Sequence, residues 1–211
     1  KIKIFNGDIK LNIENDIKLK SNFNSKLDLD EYFFNQSKDF FNKYNFVNIV
    51  QNLKADLNST ISINFDDTYK IKDYNYNLSG IIEKGELQLT NSIKTNFIPE
   101  IKKISFSDLK VSSNFNAKSY NYSLNGKYSI NKKDFLKVNL ENDIYQDLIN
   151  LKLDLDYKDK LFLNLINYKK DKSSTANFTL DLKKNKNEIK INKINFRDKK
   201  DSISIEGLVF K

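Results

Sequence analysis

The run Leu53-Lys-Ala-Asp-Leu-Asn-Ser-Thr-Ile-Ser-Ile-Asn-Phe65 decides the fold. Leu53, Ala55, Leu57, Ser59, Ile61, Ile63 and Phe65 take the odd positions, and Lys54, Asp56, Asn58, Thr60, Ser62 and Asn64 the even ones. Successive side chains of a strand point to opposite faces, so a period of two predicts one long strand with an oily face and a wet face. At about 3.4 Å per residue it spans roughly 40 Å. Such length suits an extended sheet that curls into a trough better than a compact sandwich.

The same alternation extends outward in both directions. Towards the N-terminus, Ile9, Leu11 and Ile13 predict one strand. Ile17, Leu19, Ser21 and Phe23 predict the next after a turn at Asn15-Asp16, continued by Leu27 and Leu29. Asp30 is placed to cap a helix over about 31–48, because Phe33, Phe40, Tyr44 and Val47 recur at helical spacing. Towards the C-terminus, Tyr74, Tyr76, Leu78, Gly80 and Ile82 alternate on even positions. Glu83-Lys84-Gly85 reads as a turn, and Leu87 and Leu89 as the start of another strand. Pro99 marks residues 91 to 101 as a connection, since proline cannot donate to a central ladder.

The arrangement then recurs. Leu109, Val111, Ser113, Phe115 and Ala117 are followed by Tyr120, Tyr122, Leu124, Gly126 and Tyr128. Tyr74-Asn-Tyr-Asn-Leu-Ser-Gly80 parallels Tyr120-Asn-Tyr-Ser-Leu-Asn-Gly126, which predicts a degenerate strand-hairpin repeat over about 53–90 and 105–140. Val138 and Leu140 continue the pattern, then Leu151, Leu153 and Leu155, then Leu161, Leu163 and Leu165 after a turn at Asp159-Lys160. A polar loop over Lys169–Ser174 leads to Phe178 and Leu180. Ile189 and Ile191 precede a parity break at Asn192-Lys193, read as a bulge, and Ile203 and Ile205 close the chain. About a dozen strands joined as hairpins make an antiparallel meander, an all-β fold with one short helix.

Composition removes several classes of function. The 211 residues contain no cysteine and no histidine, which excludes disulfides, thiolate metal sites and the usual catalytic triads, and no cofactor is expected. The carboxylate pairs Asp66-Asp67 and Asp28 with Asp30 read as turn and cap residues, so no enzyme is predicted. Asn-x-Ser/Thr triplets such as those at Asn58 and Asn177 are expected of a chain this rich in Asn. No window approaches 18 uninterrupted apolar residues, and mean hydropathy is −0.62. The sequence enters its first strand at Lys1, which suggests an excerpt of a longer protein whose targeting or anchoring segment lies elsewhere. The net charge of +8 fits a phosphate-bearing partner, but its lysines are spread along solvent faces beside Asp and Glu as AT-biased coding produces. Tyr74, Tyr76, Tyr120 and Tyr122 share parity with Leu78 and Leu124, which assigns them to the apolar face and not to a base-stacking platform.

The passages Ser25-Lys-Leu-Asp-Leu-Asp30, Leu53-Lys-Ala-Asp-Leu-Asn58, Tyr69 to Gly80 and Glu83-Lys-Gly-Glu-Leu-Gln-Leu89 resemble the AsmA-like superfamily. The closing Ile189 to Phe196 and Asp201-Ser-Ile-Ser-Ile-Glu-Gly207 are similar to that family's repeated endings. The resemblance is best over residues 25 to 90 and one of pattern elsewhere. This chain departs from the family in its few glycines and its abundance of Asn and Lys. The resemblance implies a taco-like open groove, a half-barrel, in a periplasmic protein anchored in the inner membrane, passing phospholipid towards the outer membrane. Further repeats of the same chain would extend the groove, and membranes would lie at the ends of the full-length protein.

The physical expectation stands beside it. A sheet with one apolar face must cover that face or leave an oily channel. Its lining would be Ile9, Leu11, Ile13, Leu57, Ile61, Ile63, Phe65, Tyr76, Leu78, Leu87, Leu89, Val111, Phe115, Tyr122, Leu124, Val138 and Leu140 in the first two thirds. Leu151, Leu153, Leu155, Leu163, Leu165, Phe178, Leu180, Ile189, Ile191, Ile203 and Ile205 would line the remainder. The competing readings are a closed sandwich or interaction module in which these residues are core, and an outer-membrane barrel or assembly factor without lipid cargo. Nucleic acid is not an expected partner.

Overall fold

The alternating runs form one antiparallel sheet in the computed structural model, which describes residues 1–13, 16–37, 49–199 and 201–211. Its strands are β1 (Ile2–Ile13), β2 (Ile17–Leu29), β3 (Val50–Phe65), β4 (Ile71–Ile93), β5 (Ile101–Asn116), β6 (Ser119–Ser129), β7 (Leu136–Tyr145) and β8 (Leu148–Tyr157). The sheet is completed by β11 (Ala176–Lys184), β12 (Ile189–Arg197) and β13 (Ser202–Phe210). These eleven strands follow chain order, each paired with its sequence neighbour except where β8 meets β11. The pair β9 (Leu161–Leu163) and β10 (Tyr168–Lys170) stands apart as a second, two-stranded sheet. β1 and β13 remain edges, so the sheet is open and not a barrel.

Helix α1 covers Glu31–Gln36. The Asp30 carboxylate caps it by accepting from the Phe33 amide at 2.9 Å, and Ser37 closes it. Residues 38 to 48 of the expected helix lie outside the described residues, with Phe40, Tyr44 and Val47 of the aromatic stripe. Phe34 of α1 is buried with Leu29 against Leu27, Val50 and Leu53, which ties the helix to one end of β2 and β3.

Two expectations are corrected. The chain does not turn at Glu83-Lys84-Gly85: β4 runs through without interruption for 23 residues. Ala55 pairs with Ile82 and Lys54 with Lys84, so the switch from even to odd parity is a bulge at Glu83 within a continuing ladder. Nor do Leu161, Leu163 and Leu165 continue the sheet. β9 pairs only with β10, a 3-10 turn takes up Asn164–Ile166, and β11 fills the place beside β8. Lys169 and Lys170, expected in a loop, belong to β10. The bulge at Asn192 is where the parity break placed it, with the Asn192 amide donating to Asp181 at 2.8 Å.

The repeated Tyr-x-Tyr-x-Leu-x-Gly segments occupy matching registers. Tyr76 pairs with Ile61 and Tyr122 with Ser113, and each glycine packs four residues earlier in the partner strand, against Leu57 and Leu109.

The wet face is held by amide side chains. Asn58 donates to Asn24 at 2.8 Å, Asn114 to Asn75 at 2.8 Å and Asn177 to Asp154 at 2.7 Å. Glu86 is grasped by Lys132 at 2.7 Å and Lys103 at 3.3 Å, and the Lys132 contact first, then Lys103, holds its carboxyl below the usual range.

Candidate functional site

Register carries one face of the sheet across every strand. Ser25, Leu57, Gly80, Val111 and Leu124 are cross-strand partners in succession, and Leu140, Leu153, Leu180, Ile194 and Ile205 complete the row to β13. The neighbouring row runs from Ser59 through Leu78, Ser113, Tyr122, Asn142, Leu151, Leu182 and Ile191 to Leu208. Neither row contains a charged side chain. All the expected lining residues fall on this inner face except Leu163, which sits in β9, and Leu165, whose backbone is in the 3-10 turn and whose side chain lies outside the described residues.

Nothing among the described residues forms a second layer over this face. The accessible surface of 14548 Å² is about 40% above the roughly 10,000 Å² of a compact monomer of 24.8 kDa. The buried apolar side chains are Leu29, Phe34, Ala55, Leu109, Ala176 and Phe196 among the described residues, and most of the remaining lining is half-buried. The closed sandwich, in which these residues would be core, is not what the chain forms.

Burial is lopsided along the strands. Five of the six buried apolar residues, Leu29, Phe34, Ala55, Ala176 and Phe196, lie towards the rim that carries α1, the 94–100 connection and the 158–175 excursion, and Leu109 lies at mid-strand. The excursion reaches back past β6 and β7: the Phe162 amide donates to the Phe97 carbonyl at 2.8 Å. Its other flank rests on β12, with the Tyr168 ring edge-on to Phe196 at 5.7 Å and the Tyr168 hydroxyl donating to Asp198 at 2.6 Å. This rim is therefore partly roofed. At the opposite rim inner-face residues are open to solvent: Ile13 is 67% exposed, Ile71 59% and Phe115 42%.

The excursion is locked by a buried ammonium. Lys170 Nζ donates to the carbonyls of Asp159 at 3.2 Å, Asp171 at 2.9 Å and Ser174 at 2.5 Å, and lies 5.7 Å from the centre of the Tyr157 ring. Burial lowers its pKa against the raising influence of Asp198, Asp159 and Asp171. Beside it, the Tyr128 hydroxyl donates to the Asp156 carbonyl at 2.8 Å, and burial first, then the Asp156 charge, pushes that phenol up to about 12. Lys170→Met keeps the stem and deletes the ammonium, leaving three carbonyls short of a donor. It is expected to cost about 2–3 kcal/mol and to make residues 158 to 175 a site of protease nicking. A variant as resistant as the parent would show that the clamp does not hold the excursion.

Around Tyr128, Leu136 and Tyr157 the roofed rim encloses a cavity of about 210 Å³, in which Lys158 pairs with Asp134 and Lys172 with Asp159 at 3.2 Å. Its charges are matched within the chain. No cluster of carboxylates fit to hold a metal occurs among the described residues, and no described helix is long and apolar enough to cross a membrane.

Asn142 was not among the expected lining residues, because its polarity hid it. It shares parity with Val138, Leu140 and Ile144, and that parity is the signal that places it on the inner face. Comparison with family models, curated proteins and solved structures finds no match to this chain. Its own geometry carries the functional reading.

Proposed function

We propose that the inner face is a carrier surface for acyl chains, a segment of a phospholipid conduit of the AsmA-like kind. The observation that supports this most directly is the pair of adjoining rows, free of charged side chains, that run in register across the large sheet and that no second layer among the described residues covers. Ten strand steps at about 4.8 Å make a trough roughly 50 Å long. An acyl chain lying in it leaves water at about 0.8 kcal/mol per buried CH₂. No single lining residue is indispensable, so transfer is passive sliding, and the phosphate headgroup stays in water at the open rim. The wider reading places the chain in the periplasm, held to the inner membrane by a segment beyond this sequence and joined through its free edges to further strands of the same protein.

The purified chain is expected to retain phospholipid, seen as added mass by native mass spectrometry and recovered by solvent extraction. It is also expected to take up fluorescent phospholipid from vesicles. A chain that emerges free of lipid and takes up none when offered vesicles would overturn the proposal. Capture of another protein on this face in place of lipid would support the interaction-module reading instead.

A further inference from the structure

The carrier surface is not uniformly apolar. In the row from Ser59 to Leu208, the partners on β5, β6 and β7 are Ser113, Tyr122 and Asn142, while those on β8 to β13 are all aliphatic. Asn142 ends the polar stretch. It is 5% exposed, and its Oδ1 is buried with no hydrogen-bond partner. A buried amide oxygen left unpaired is destabilising, and turning the amide over would only put its N–H groups in the same apolar place. On the flanking rows its strand neighbours are Leu140 and Ile144, which have no side-chain donor, and the hydroxyl of its cross-strand partner Tyr122 makes no hydrogen bond to it.

We infer that Asn142 is the polar anchor of a binding site for an amphiphile whose hydroxyl group donates to it. The aliphatic tail of that amphiphile lies across β8, β11, β12 and β13. The four strand steps from β7 to β13 give the tail about 19 Å, a span on the scale of an extended fatty chain. Access to the amide passes between its cross-strand neighbours Tyr122 and Leu151, whose side chains part to admit the ligand. The inference rests on the acyl-carrier reading and adds selectivity to it: a neutral hydroxyl-bearing amphiphile, such as a long-chain alcohol or a monoacylglycerol, is held in register where a fully apolar chain slides.

The test displaces a fluorescent acyl probe from the purified chain with 1-dodecanol or with dodecyl methyl ether, which keeps the chain and the oxygen but lacks the donor. The parent is expected to prefer the alcohol by roughly tenfold, the worth of one hydrogen bond to an otherwise unpaired acceptor. Asn142→Leu is expected to bind the ether as well as the parent does, to lose the preference, and to melt no lower, since an orphaned acceptor is removed. A parent without preference, or a preference that survives in Asn142→Leu, overturns the anchor while leaving the carrier surface standing. Failure of the parent to bind the probe at all overturns both.

Discussion

Gly80→Ala is expected to unfold the N-terminal half of the sheet. A Cβ on Gly80 would meet the Asp56 carbonyl oxygen at 2.1 Å and the Leu57 Cα at 2.9 Å, and φ of +155° is a backbone conformation that side chains with a Cβ rarely take. Both obstructing atoms are backbone, so no rotamer relieves the clash, and β3 must leave its ladder with β4. Overpacking and backbone strain together amount to roughly 3–5 kcal/mol, a large share of the stability of an ordinary domain. Gly126→Ala meets the Asp108 carbonyl oxygen at 2.5 Å and the Leu109 Cα at 2.6 Å and is expected to behave alike. Gly85→Ala supplies the contrast, because its Cβ would find only side-chain atoms at ordinary contact distances of 3.5 to 3.9 Å. Urea unfolding of the three variants is the measurement. Gly80→Ala with the midpoint of the parent would mean that the strands are not packed as closely as described.

Leu153→Asp is expected to empty the trough of lipid. Leu153 stands between Leu140 and Leu180 in the middle of an uncharged row, and a carboxylate there must either stay hydrated, which keeps acyl chains away, or be buried at a cost of several kcal/mol. Because the face is open, the carboxylate reaches water in the lipid-free protein, so the fold survives while cargo is lost. Phospholipid recovered per chain is expected to fall by more than tenfold, with the circular dichroism of the sheet unchanged. Lys152→Gln, one residue away on the wet face, is expected to retain its lipid. Equal recovery from Leu153→Asp and the parent would disconnect this face from the cargo.

What the sequence disclosed and what it concealed follow from the range of the forces involved. Alternation is a local property, and Leu53 to Phe65 placed its apolar side chains on the face where the structure has them. The bulge at Asn192 was legible for the same reason, since one extra residue flips parity. Glu83 flips parity too, but Gly85 beside it imitates a turn, and only the pairing of Lys54 with Lys84 shows that the strand continues. Leu161, Leu163 and Leu165 alternate as well as any sheet strand. Whether they join the sheet depends on Lys170 binding three carbonyls and on the Phe97–Phe162 contact across many residues, neither of which leaves a periodic mark. The inner face was legible as a set of apolar positions, and for that reason Asn142 was passed over. Its place is set by parity and its consequence by the lack of a partner, and only coordinates reveal the second.

The order of strands has a kinetic consequence. Nine of the ten pairings in the large sheet join strands that are consecutive in the chain, so assembly can advance by zipping one hairpin after another without waiting for distant ends to meet. Elongated proteins wired between nearest neighbours spread stability along their length and can fray from either terminus while the middle holds. The single departure is the stitch by which residues 158 to 175 seize the 94–100 connection. It clasps β5 to β8, and the segment between them becomes the last part of the molecule to open.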